Sequence, residues 1–390
     1  MPERKKIALC LEYPIAFRGG VSVLVETLLE GLHENYDLIL VSPDKVEDVQ
    51  KHPLAKIISA QIIWNPREVS PRNSRALAEN LSRHGCQLAH FHSGGNYGWG
   101  NRFPGHSPIP FVNKLGIPVF STTHLVVSLL FGYCGPQKPL WFKLAMLPLA
   151  WAGKMQFLAN VQREIAVSQH DLKKLQKWYA PVRRKFSQIY HSRLRAQSQP
   201  PEPPAREPII LNVGHIAWRK GQPVLVEAFA EIAAQFPEWK LWLTGDVLEE
   251  SAAEKIREIS KRPGLSDRIV LLGARTDAME LMRRAGVYAQ PSNEEALGLA
   301  LQEALFVGCP AIGTRVGGIP ELIEHERTGL LVNKGDAGGM ARALARLMSN
   351  PGLRAEYGRR GAASILDKGM TVEQMVARHV ELYEKAFRRS

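Results

Sequence analysis

The chain has 390 residues, and a single hydrophobic core rarely organises more than about 250–300, so two domains are expected. Its composition, 45% hydrophobic and 23% charged, is typical of a folded globular protein and excludes a disordered or fibrous chain. Four cysteines lie far apart in the sequence, which argues against a disulfide scaffold and favours a reducing, cytoplasmic compartment. The first residues lead directly into a strand-like run, so no signal peptide is predicted.

The positive charge is concentrated in one quarter of the chain. Residues 101–200 contain 14 lysines and arginines against two acidic residues, and 14 − 2 = +12 equals the net charge of the whole protein. The same region contains the apolar, aromatic segment 141–151. This combination is typical of a surface that lies on anionic lipid, but it also fits a solvated basic face beside a core helix. Nucleic acid is disfavoured as a partner, because no nucleic-acid-binding module accompanies the charge.

One uncharged stretch, residues 115–137, is long enough to cross a bilayer. It contains Pro118, the polar run 121–124 and a glycine-proline pair at 135–136. A buried strand followed by a loop is therefore predicted there, and no transmembrane helix.

Short apolar strands alternate with helical patterns along both halves of the chain, which is the pattern of parallel sheets with crossover helices. Strands are predicted at 7–11, 38–41, 88–92, 118–122 and 165–167 in the first half, and at 209–213, 241–244, 269–272, 287–290 and 311–313 in the second, with one clear helix over 21–32. The fold class is therefore α/β, with two doubly wound, Rossmann-like domains. Ligands of such domains bind at the carboxyl ends of the strands, so we expect a ligand cleft where these ends face each other.

A proline-rich segment separates the two halves. Five prolines between residues 197 and 208 make this segment stiff and extended, and unsuited to the interior of a sheet or helix. We therefore predict an N-terminal domain at 1–195, a linker at 196–208, a C-terminal domain at 209–371 and a last helix within 372–390.

The strongest chemical pattern lies in segment 291–304. A strand ends at its start, a polar loop follows, and a helix begins near its middle, so three free backbone N–H groups are available to bind a phosphate. These N–H groups belong to Gly298, Leu299 and Ala300. Glu295 and Glu303 lie beside this cradle and would repel a phosphate unless they bind something else, for which sugar hydroxyls are the obvious ligand. Taken alone, Glu295 is explained better as an ordinary loop charge, and Glu303 as a surface helix residue, than either is as a ligand-binding residue.

A second pattern lies near the first strand of the same half. Gly214 ends that strand, and Arg219 and Lys220 stand just ahead of a helix predicted over 224–232. A cation at this position can reach a diphosphate that is held by the facing loop. Further along, segment 316–321 supplies a glycine turn and another helix start.

Together these patterns resemble the retaining glycosyltransferases of family 4, which have the two-domain GT-B fold. The matching residues are Glu295 and Glu303 for the family's E-x7-E pair, Lys220-Gly221 for its K-G turn, Gly317 to Glu321 for its G-G-x-x-E segment, Gly19-Gly20-Val21 for its glycine loop, and Thr122-Thr123-His124 for its T-x-H. The resemblance runs from residue 6 to about residue 335 and implies that the last helix packs on the N-terminal domain.

The resemblance implies transfer of a sugar from a nucleotide-diphosphate sugar to a hydroxyl acceptor, with retention of configuration. In the second half, Glu303 would bind the ribose hydroxyls and Glu295 the hydroxyls of the transferred sugar. Lys220, with the amides of Leu299 and Ala300, would neutralise the leaving diphosphate.

In the first half, the resemblance implies that His124 contacts the donor sugar near the reacting carbon. Gly19-Gly20 would let the backbone approach the phosphate or the acceptor. Base contacts are expected around Gly273-Ala274-Arg275. In this fold such contacts come largely from the backbone, so the sequence does not determine whether the donor carries UDP, GDP or ADP. The acceptor is expected to be read by loops such as 93–105.

Three departures from the family pattern stand out. His215 occupies a position where the family usually has arginine, so either Arg219 supplies the second cation or His215 donates as a neutral imidazole. The segment 190–193 reads Tyr-His-Ser-Arg in place of Asn-Gly-hydrophobic-Asp, and Ala296 replaces a glycine.

The chemistry expected of this site needs no metal and no cofactor. The sequence contains no Asp-x-Asp pair to clamp a diphosphate through a metal, and no carboxylates placed for a two-step glycosidase mechanism. The resemblance implies front-side attack, in which a donor phosphate oxygen takes the acceptor's proton. His90 and His92 share one strand face and can mimic a metal pair, but core or cleft histidines are favoured.

Two alternatives stay open. One is a GT-B-shaped protein that binds a sugar nucleotide or a partner without turnover, which His215 favours and the other matching residues oppose. The other is an epimerase or a phosphorylase on the same architecture. For a transferase, the basic and apolar region favours a lipid-linked or glycan acceptor at the inner face of the membrane, in the assembly of cell-surface polysaccharide or glycolipid.

Overall fold

The structure is a computed structural model that describes residues 4–15, 19–66, 68–95, 97–100, 103–126, 138–196 and 206–388. It divides into two compact units, unit 1 (Met1–His191 with Val372–Ser390) and unit 2 (Ser192–Thr371). Each unit is built on one parallel sheet. The predicted α/β class with two Rossmann-like domains is therefore confirmed.

Unit 1 contains a seven-stranded sheet in the order β3-β2-β1-β4-β5-β6-β7. Its strands are β1 (Lys6–Leu11), β2 (Asp37–Ser42), β3 (Ile58–Ile63), β4 (Leu88–Ser93), β5 (Val119–Thr123), β6 (Arg163–Ala166) and β7 (Phe186–Gln188). Its helices are α1 (Gly20–Leu32), α2 (Val46–Lys51), α3 (Pro71–Arg83), α4 (Ile109–Lys114), α5 (Leu140–Ala159) and α6 (Gln169–Trp178), together with the last helix of the chain, α14 (Val372–Phe387).

Unit 2 contains a six-stranded sheet in the order β10-β9-β8-β11-β12-β13. Its strands are β8 (Glu207–Val213), β9 (Lys240–Thr244), β10 (Ile269–Gly273), β11 (Ala285–Gln290), β12 (Ala311–Thr314) and β13 (Leu330–Val332). Its helices are α7 (Gln222–Ile232), α8 (Glu250–Ser260), α9 (Ala278–Arg284), α10 (Leu299–Phe306), α11 (Ile319–Leu322), α12 (Ala337–Met348) and α13 (Pro351–Asp367).

The central strands of both sheets are covered on both faces. All six residues of β4 and all six of β11 are buried. Three strands escaped the sequence prediction. β3 and β13 are sheet edges, and β7 is an edge of only three residues, so their apolar signal is short or diluted by polar residues.

The boundary between the units lies earlier than the predicted limit at residue 195. Ser192 belongs to unit 2, and its Oγ donates a hydrogen bond to the carbonyl oxygen of Met370 in the same unit, at 2.8 Å. The predicted linker also ends too late, since Pro208 lies inside β8. The register of β8 against β11 shifts at this point, and pairing with β9 begins only at Ile209, so the missing N–H of the proline is tolerated. Residues 197–205 of the linker lie outside the described residues.

The helix α14 is fixed to unit 1 by polar contacts as well as by its apolar face. Glu384 accepts a hydrogen bond from the Tyr36 hydroxyl at 3.0 Å and pairs with Lys5 at 3.3 Å. Tyr383 lies fully buried beside His90. Unit 1 is thus assembled from the two ends of the described chain.

Within the described residues, no helix is both long and apolar enough to cross a membrane. The uncharged stretch 115–137 forms β5, as its predicted strand required, and its residues 127–137 lie outside the described part.

Candidate functional site

The strand order of unit 2 brings the two predicted site loops together. β8 and β11 are neighbours, and the chain leaves them towards opposite sides of the sheet, so a crevice forms at their carboxyl ends. The loop after β8 carries His215 and Lys220, and the loop after β11 carries Glu295. These residues are far apart in the sequence, and the sheet topology makes their loops adjacent.

Glu295 is the centre of a hydrogen-bonded network in this crevice. Its Oε2 accepts from Lys220 Nζ at 2.7 Å, from Ser292 Oγ at 3.1 Å and from Gln290 Nε2 at 3.3 Å. The Tyr288 hydroxyl donates to Gln290 Oε1 at 2.7 Å and so holds the amide in this orientation. All of these donors converge on one carboxylate oxygen, and among the described residues no hydrogen bond to Oε1 is found.

The charge of Glu295 is stabilised although the group is buried. Burial raises the pKa of this carboxyl, but the Lys220 ammonium, with smaller effects of Arg219 and Ser292, outweighs burial and leaves the pKa below its ordinary value. Glu295 is therefore a carboxylate at neutral pH, which suits an acceptor of sugar hydroxyl bonds and not a proton donor.

Two glycines allow the loops of the crevice to lie in direct contact. Gly221 has φ +71°, and a Cβ there would lie 2.0 Å from the carbonyl oxygen of Pro291. Gly317 has φ +53°, and a Cβ there would lie 1.6 Å from the carbonyl oxygen of Glu295. Any side chain would push these loops apart. The glycines of the K-G and G-G segments therefore allow close backbone contacts that fix the position of the Glu295 loop.

The helix α10 begins where the sequence predicted. Gly298 caps it with φ +101°, and the first hydrogen bond within the helix runs from Gln302 N to Gly298 O at 2.9 Å. The N–H groups of Leu299 and Ala300 precede that bond and are oriented along the helix axis away from the helix, as an anion site requires.

Glu303 lies in α10 and is buried, in contrast to an ordinary surface helix position. Its Oε1 is 3.1 Å from Nη1 of Arg193, and its side chain is 10% exposed. Burial raises the pKa of Glu303, and Arg193 offsets only part of this effect. The electrostatic fields of Glu303 and Glu295 both act on the buried Tyr288 and add to the burial that raises its pKa.

The remaining predicted residues of unit 2 are less closely held. The Nδ1 atom of His215 is buried and has no hydrogen-bond partner among the described residues. Arg219 is exposed and donates to the carbonyl oxygen of Glu294 at 3.3 Å. Asn293 N in turn donates to Arg219 O at 2.8 Å, so the two loops are joined through their backbones.

The predicted base-binding segment lies at the edge of the same sheet. Gly273 ends β10, and its carbonyl accepts from Thr244 Oγ1 at 2.7 Å. Ala274 follows, and Arg275 is exposed and paired with Asp277 at 2.6 Å. β10 is separated from β8 by β9, which places this segment about 10 Å to the side of the crevice.

His124 follows β5 in unit 1 and belongs to a group of five neighbouring histidines. This histidine cluster consists of His90, His92, His124, His191 and His379. Nδ1 of His92 lies 3.1 Å from Nε2 of His124, so one of these nitrogens donates to the other. His90 lies between the Tyr383 hydroxyl at 2.5 Å and Thr122 Oγ1 at 2.8 Å.

Burial holds the cluster in the neutral form. It lowers the pKa of all five imidazoles, and the fields of neighbouring histidines add to the effect in all except His379. The pKa falls to about 3 for His124 and to about 4 for His379. His90 and His92 are completely buried, as the core interpretation predicted. His124 is therefore a neutral hydrogen-bonding group and not a cation.

The glycine loop of unit 1 also lies at a topological switch point. β1 and β4 are neighbours, and Gly19 precedes α1 in an extended conformation while Gly20 is its first residue. The helix N-terminus is thus at the carboxyl edge of the sheet, where the match to the glycine loop requires it.

The basic region of unit 1 is divided into internal and external charges. Lys154 is buried and paired with Glu164 at 2.9 Å, and Lys143 is also buried. Lys185 donates to three carbonyl oxygens at the end of α5, each at 2.8 Å. These three lysines therefore hold α5 in place or lie inside the unit, and they do not form part of an open basic surface.

The outer face of α5 carries large apolar side chains in solvent. The exposed residues are Leu140 at 59%, Trp141 at 70%, Leu144 at 52%, Leu149 at 41% and Trp151 at 37%. Trp151 Nε1 donates to the carbonyl oxygen of Trp178 at the end of α6, at 3.4 Å. α6 and the turn after it carry exposed cations, namely Lys173, Lys177, Arg183 and Arg184. Exposed apolar and basic side chains thus lie on adjoining elements.

Sequence reasoning missed several residues that hold the predicted ones. Tyr288, Gln290 and Ser292 are spaced by two along β11 and its continuation, and this spacing places them on one face of the strand. Polar residues at every second position of an otherwise apolar strand were the available signal. Arg193 carried no signal beyond its departure from the family pattern. Among the described residues, no group of three or more His, Cys, Asp or Glu is placed to hold a metal ion.

Two family models match almost the whole chain, one in each half. The model of Glycosyltransferase Family 4 matches residues 18–192, and that of Glycosyl transferases group 1 matches residues 195–364. With the two parallel-sheet units, this shows that the chain belongs to the glycosyltransferases of family 4 type with the GT-B fold.

Similar proteins include a synthase and a mannosyltransferase from bacteria. The chain is 32% identical over 182 residues to N-acetyl-alpha-D-glucosaminyl L-malate synthase of Bacillus anthracis, covering 47% of this chain and 46% of that protein. It is 32% identical over 147 residues to the lipopolysaccharide core biosynthesis mannosyltransferase LpcC of Rhizobium leguminosarum bv. viciae, covering 37% of this chain and 42% of that protein. The matched segments thus span less than half of these two relatives.

Solved structures match over nearly the full length. A glycosyltransferase from Rickettsia africae has a TM-score of 0.77 at 19% identity and covers 99% of this chain and 100% of its own. Anabaena Alr3699/HepE in complex with UDP and glucose has a TM-score of 0.73 at 16% identity, with coverages of 98% and 100%. At these identities the likeness establishes the fold.

Proposed function

We propose that the protein is a retaining glycosyltransferase that moves a sugar from a nucleotide-diphosphate sugar to a hydroxyl acceptor. The observation that carries this proposal is the crevice of unit 2, in which Lys220, the N-terminus of α10 and a charged Glu295 lie on loops at one switch point. Relatives named for lipopolysaccharide core biosynthesis support a role in cell-surface polysaccharide or glycolipid assembly.

In the proposed reaction the anomeric bond breaks and negative charge develops on the leaving diphosphate. Lys220 and the amides of Leu299 and Ala300 stabilise that charge, because they are fixed before the reaction begins. Glu295 accepts hydrogen bonds from the transferred sugar through Oε1, and Glu303 binds the ribose. Lys220 exchanges part of its contact with Glu295 for the diphosphate on donor binding.

Retention follows in this proposal from front-side attack, in which the acceptor hydroxyl gives its proton to a donor phosphate oxygen as the new bond forms. The neutral His124 is assigned a hydrogen bond to the donor sugar. The cationic groups of this chain supply the charge that a divalent ion supplies elsewhere, so the proposed reaction needs no metal.

The first experiment is a thermal-shift panel of UDP-, GDP- and ADP-sugars, with and without EDTA. We expect stabilisation by one nucleotide that survives EDTA and is lost in Lys220→Ala. Lys240→Ala is the matched control, because this exposed lysine lies at the opposite, amino end of β9. A shift that requires a divalent ion would contradict metal independence, and no shift with any donor would contradict the transferase proposal.

Binding and turnover must also be separated. With the donor identified, release of nucleoside diphosphate is measured against a panel of glycan and lipid-linked acceptors, and the anomeric configuration of the product is read by NMR. Retained configuration supports the proposed mechanism. Tight donor binding without turnover for any acceptor would favour a sugar-nucleotide-binding protein.

The proposal includes an anionic membrane surface as the place where the acceptor is met. The exposed apolar face of α5 and the cations on α6 and the following turn form the kind of surface that inserts aromatic side chains between anionic headgroups. Co-sedimentation with phosphatidylglycerol vesicles at low salt tests it. We expect binding that is weakened in Leu140→Ser/Trp141→Ser and unchanged in Leu248→Ser, an exposed leucine of unit 2. Equal binding by all three proteins would contradict this assignment.

A further inference from the structure

Arg193 makes a contact for which the family resemblance offers no role. It lies in the segment that enters unit 2, and its Nη1 is 3.1 Å from Oε1 of Glu303. The Glu303 side chain is 10% exposed and that of Arg193 is 47% exposed, so a solvent-facing cation caps a buried carboxylate. The family pattern ends in an acidic residue at the position of Arg193, so the resemblance gives this arginine no counterpart.

The carboxylate needs such a partner if it is to act as a hydrogen-bond acceptor. Burial favours the protonated form of Glu303, and Arg193 is the charged group among the described residues that opposes this. The other titratable neighbour is Tyr288 on β11, which is neutral and donates to Gln290 and not to Glu303. Without Arg193, a protonated Glu303 would lose one of the two acceptor oxygens that a ribose with two hydroxyls requires.

We propose that Arg193 is a positioning residue for nucleotide binding, which keeps Glu303 ionised and orients it with Oε2 towards the ribose hydroxyls. The ion pair engages Oε1 through a single guanidinium nitrogen, so the second oxygen stays available for the ligand. This inference rests on the proposed function, because it takes Glu303 as the ribose ligand.

The opposite role for Arg193 would be to block the ribose-binding site. If Arg193 instead occupied the place of the ribose, donor binding would have to break the ion pair, and removal of the arginine would tighten binding. The two roles therefore predict effects of opposite sign on nucleotide affinity.

The test compares Arg193→Ala, Arg193→Lys and the control Arg262→Ala. Arg262 is 46% exposed and pairs with Glu227 at 3.4 Å, so its replacement removes a similarly exposed cation and its ion pair from the same unit. Affinities for UDP, GDP and ADP are measured by calorimetry between pH 5.5 and 8, and donor KM and kcat with the donor that the wild type accepts. Unfolding temperatures confirm that each variant is folded.

We expect Arg193→Ala to weaken nucleotide binding and raise donor KM by about 10- to 100-fold, the effect of losing a charge-assisted hydrogen bond that holds Glu303, with kcat little changed. As the pH falls, the affinity of this variant relative to the wild type should fall further, because Glu303 protonates more readily without the opposing charge of Arg193. Arg193→Lys should restore a large part of the affinity, and Arg262→Ala should match the wild type.

Unchanged or tighter binding by Arg193→Ala, or a weakened variant without the added pH dependence, would overturn the inference. A wild type that binds none of the three nucleotides would contradict the proposed function itself, so the two failures are distinguishable.

Discussion

Acid should destabilise unit 1 through its histidine cluster. Each of these imidazoles has a pKa that burial lowers below the ordinary value of 6.5, so the unfolded chain binds more protons than the folded one. The stability that the neutral cluster contributes is complete above pH 6.5. It is lost as the pH falls towards the folded pKa.

The size of the effect follows from the pKa of about 4 for His379. At pH 5 this imidazole is mostly protonated in the unfolded state and mostly neutral in the folded state. The free energy of unfolding is therefore about 2 kcal/mol lower at pH 5 than at neutral pH through this residue alone. His124, with a pKa of about 3, costs about the same. Together these two residues cost about 4 kcal/mol at pH 5, a large part of the stability of a typical domain, about 5–15 kcal/mol. Burial lowers the pKa of His90, His92 and His191 as well, and their protonation changes the stability in the same direction.

The assay is urea unfolding followed by circular dichroism at pH 7 and pH 5, with hydrogen–deuterium exchange to assign the change to a unit. We expect β4 and α14 to lose protection at pH 5 well before the strands of unit 2. In His379→Gln the loss of stability between the two pH values should be about 2 kcal/mol smaller than in the wild type. The control His84→Gln replaces an exposed histidine and should keep the wild-type loss. Equal losses in the wild type and His379→Gln would refute the reasoning.

Two further predictions concern packing. Gly317→Ala should abolish nucleotide binding or weaken it more than tenfold by calorimetry, because its Cβ would strike the carbonyl of Glu295. The control Gly335→Ala, at φ +72° with open space around its Cβ, should bind normally. Equal affinities of the two variants would contradict the role of Gly317 in positioning the Glu295 loop. Lys154→Met should lower the free energy of unfolding by about 3–5 kcal/mol because it leaves Glu164 buried without its cation. Lys154→Met/Glu164→Leu should recover most of this loss, and a double variant as unstable as the single one would argue against it.

The sequence could predict the elements whose physics is local. An apolar run identified β1, and a glycine before a helical pattern located the start of α10. The order of motifs along the chain also identified the loops of the crevice. Their adjacency follows from the doubly wound topology, which the alternation of strands and helices implied.

Pairings between distant segments could not be predicted in this way. Lys220 and Glu295 were expected to bind different parts of a ligand, and the structure joins them to each other at 2.7 Å across 75 residues of sequence. The contact of Arg193 with Glu303 spans 110 residues. The histidine cluster draws on segments that begin near residue 90 and end near residue 379. Such contacts depend on the three-dimensional positions of the loops, which patterns in a single sequence do not reveal.

The membership of α14 in unit 1 has a consequence for the order of biosynthesis. His379 and Tyr383 complete the surroundings of His90 in β4. This strand is synthesised early, but two of its contacts form only with residues that are synthesised almost 300 positions later. Unit 2 is continuous in sequence and does not include α14. Until α14 is available, the partly assembled N-terminal sheet exposes apolar surface, which this helix then covers.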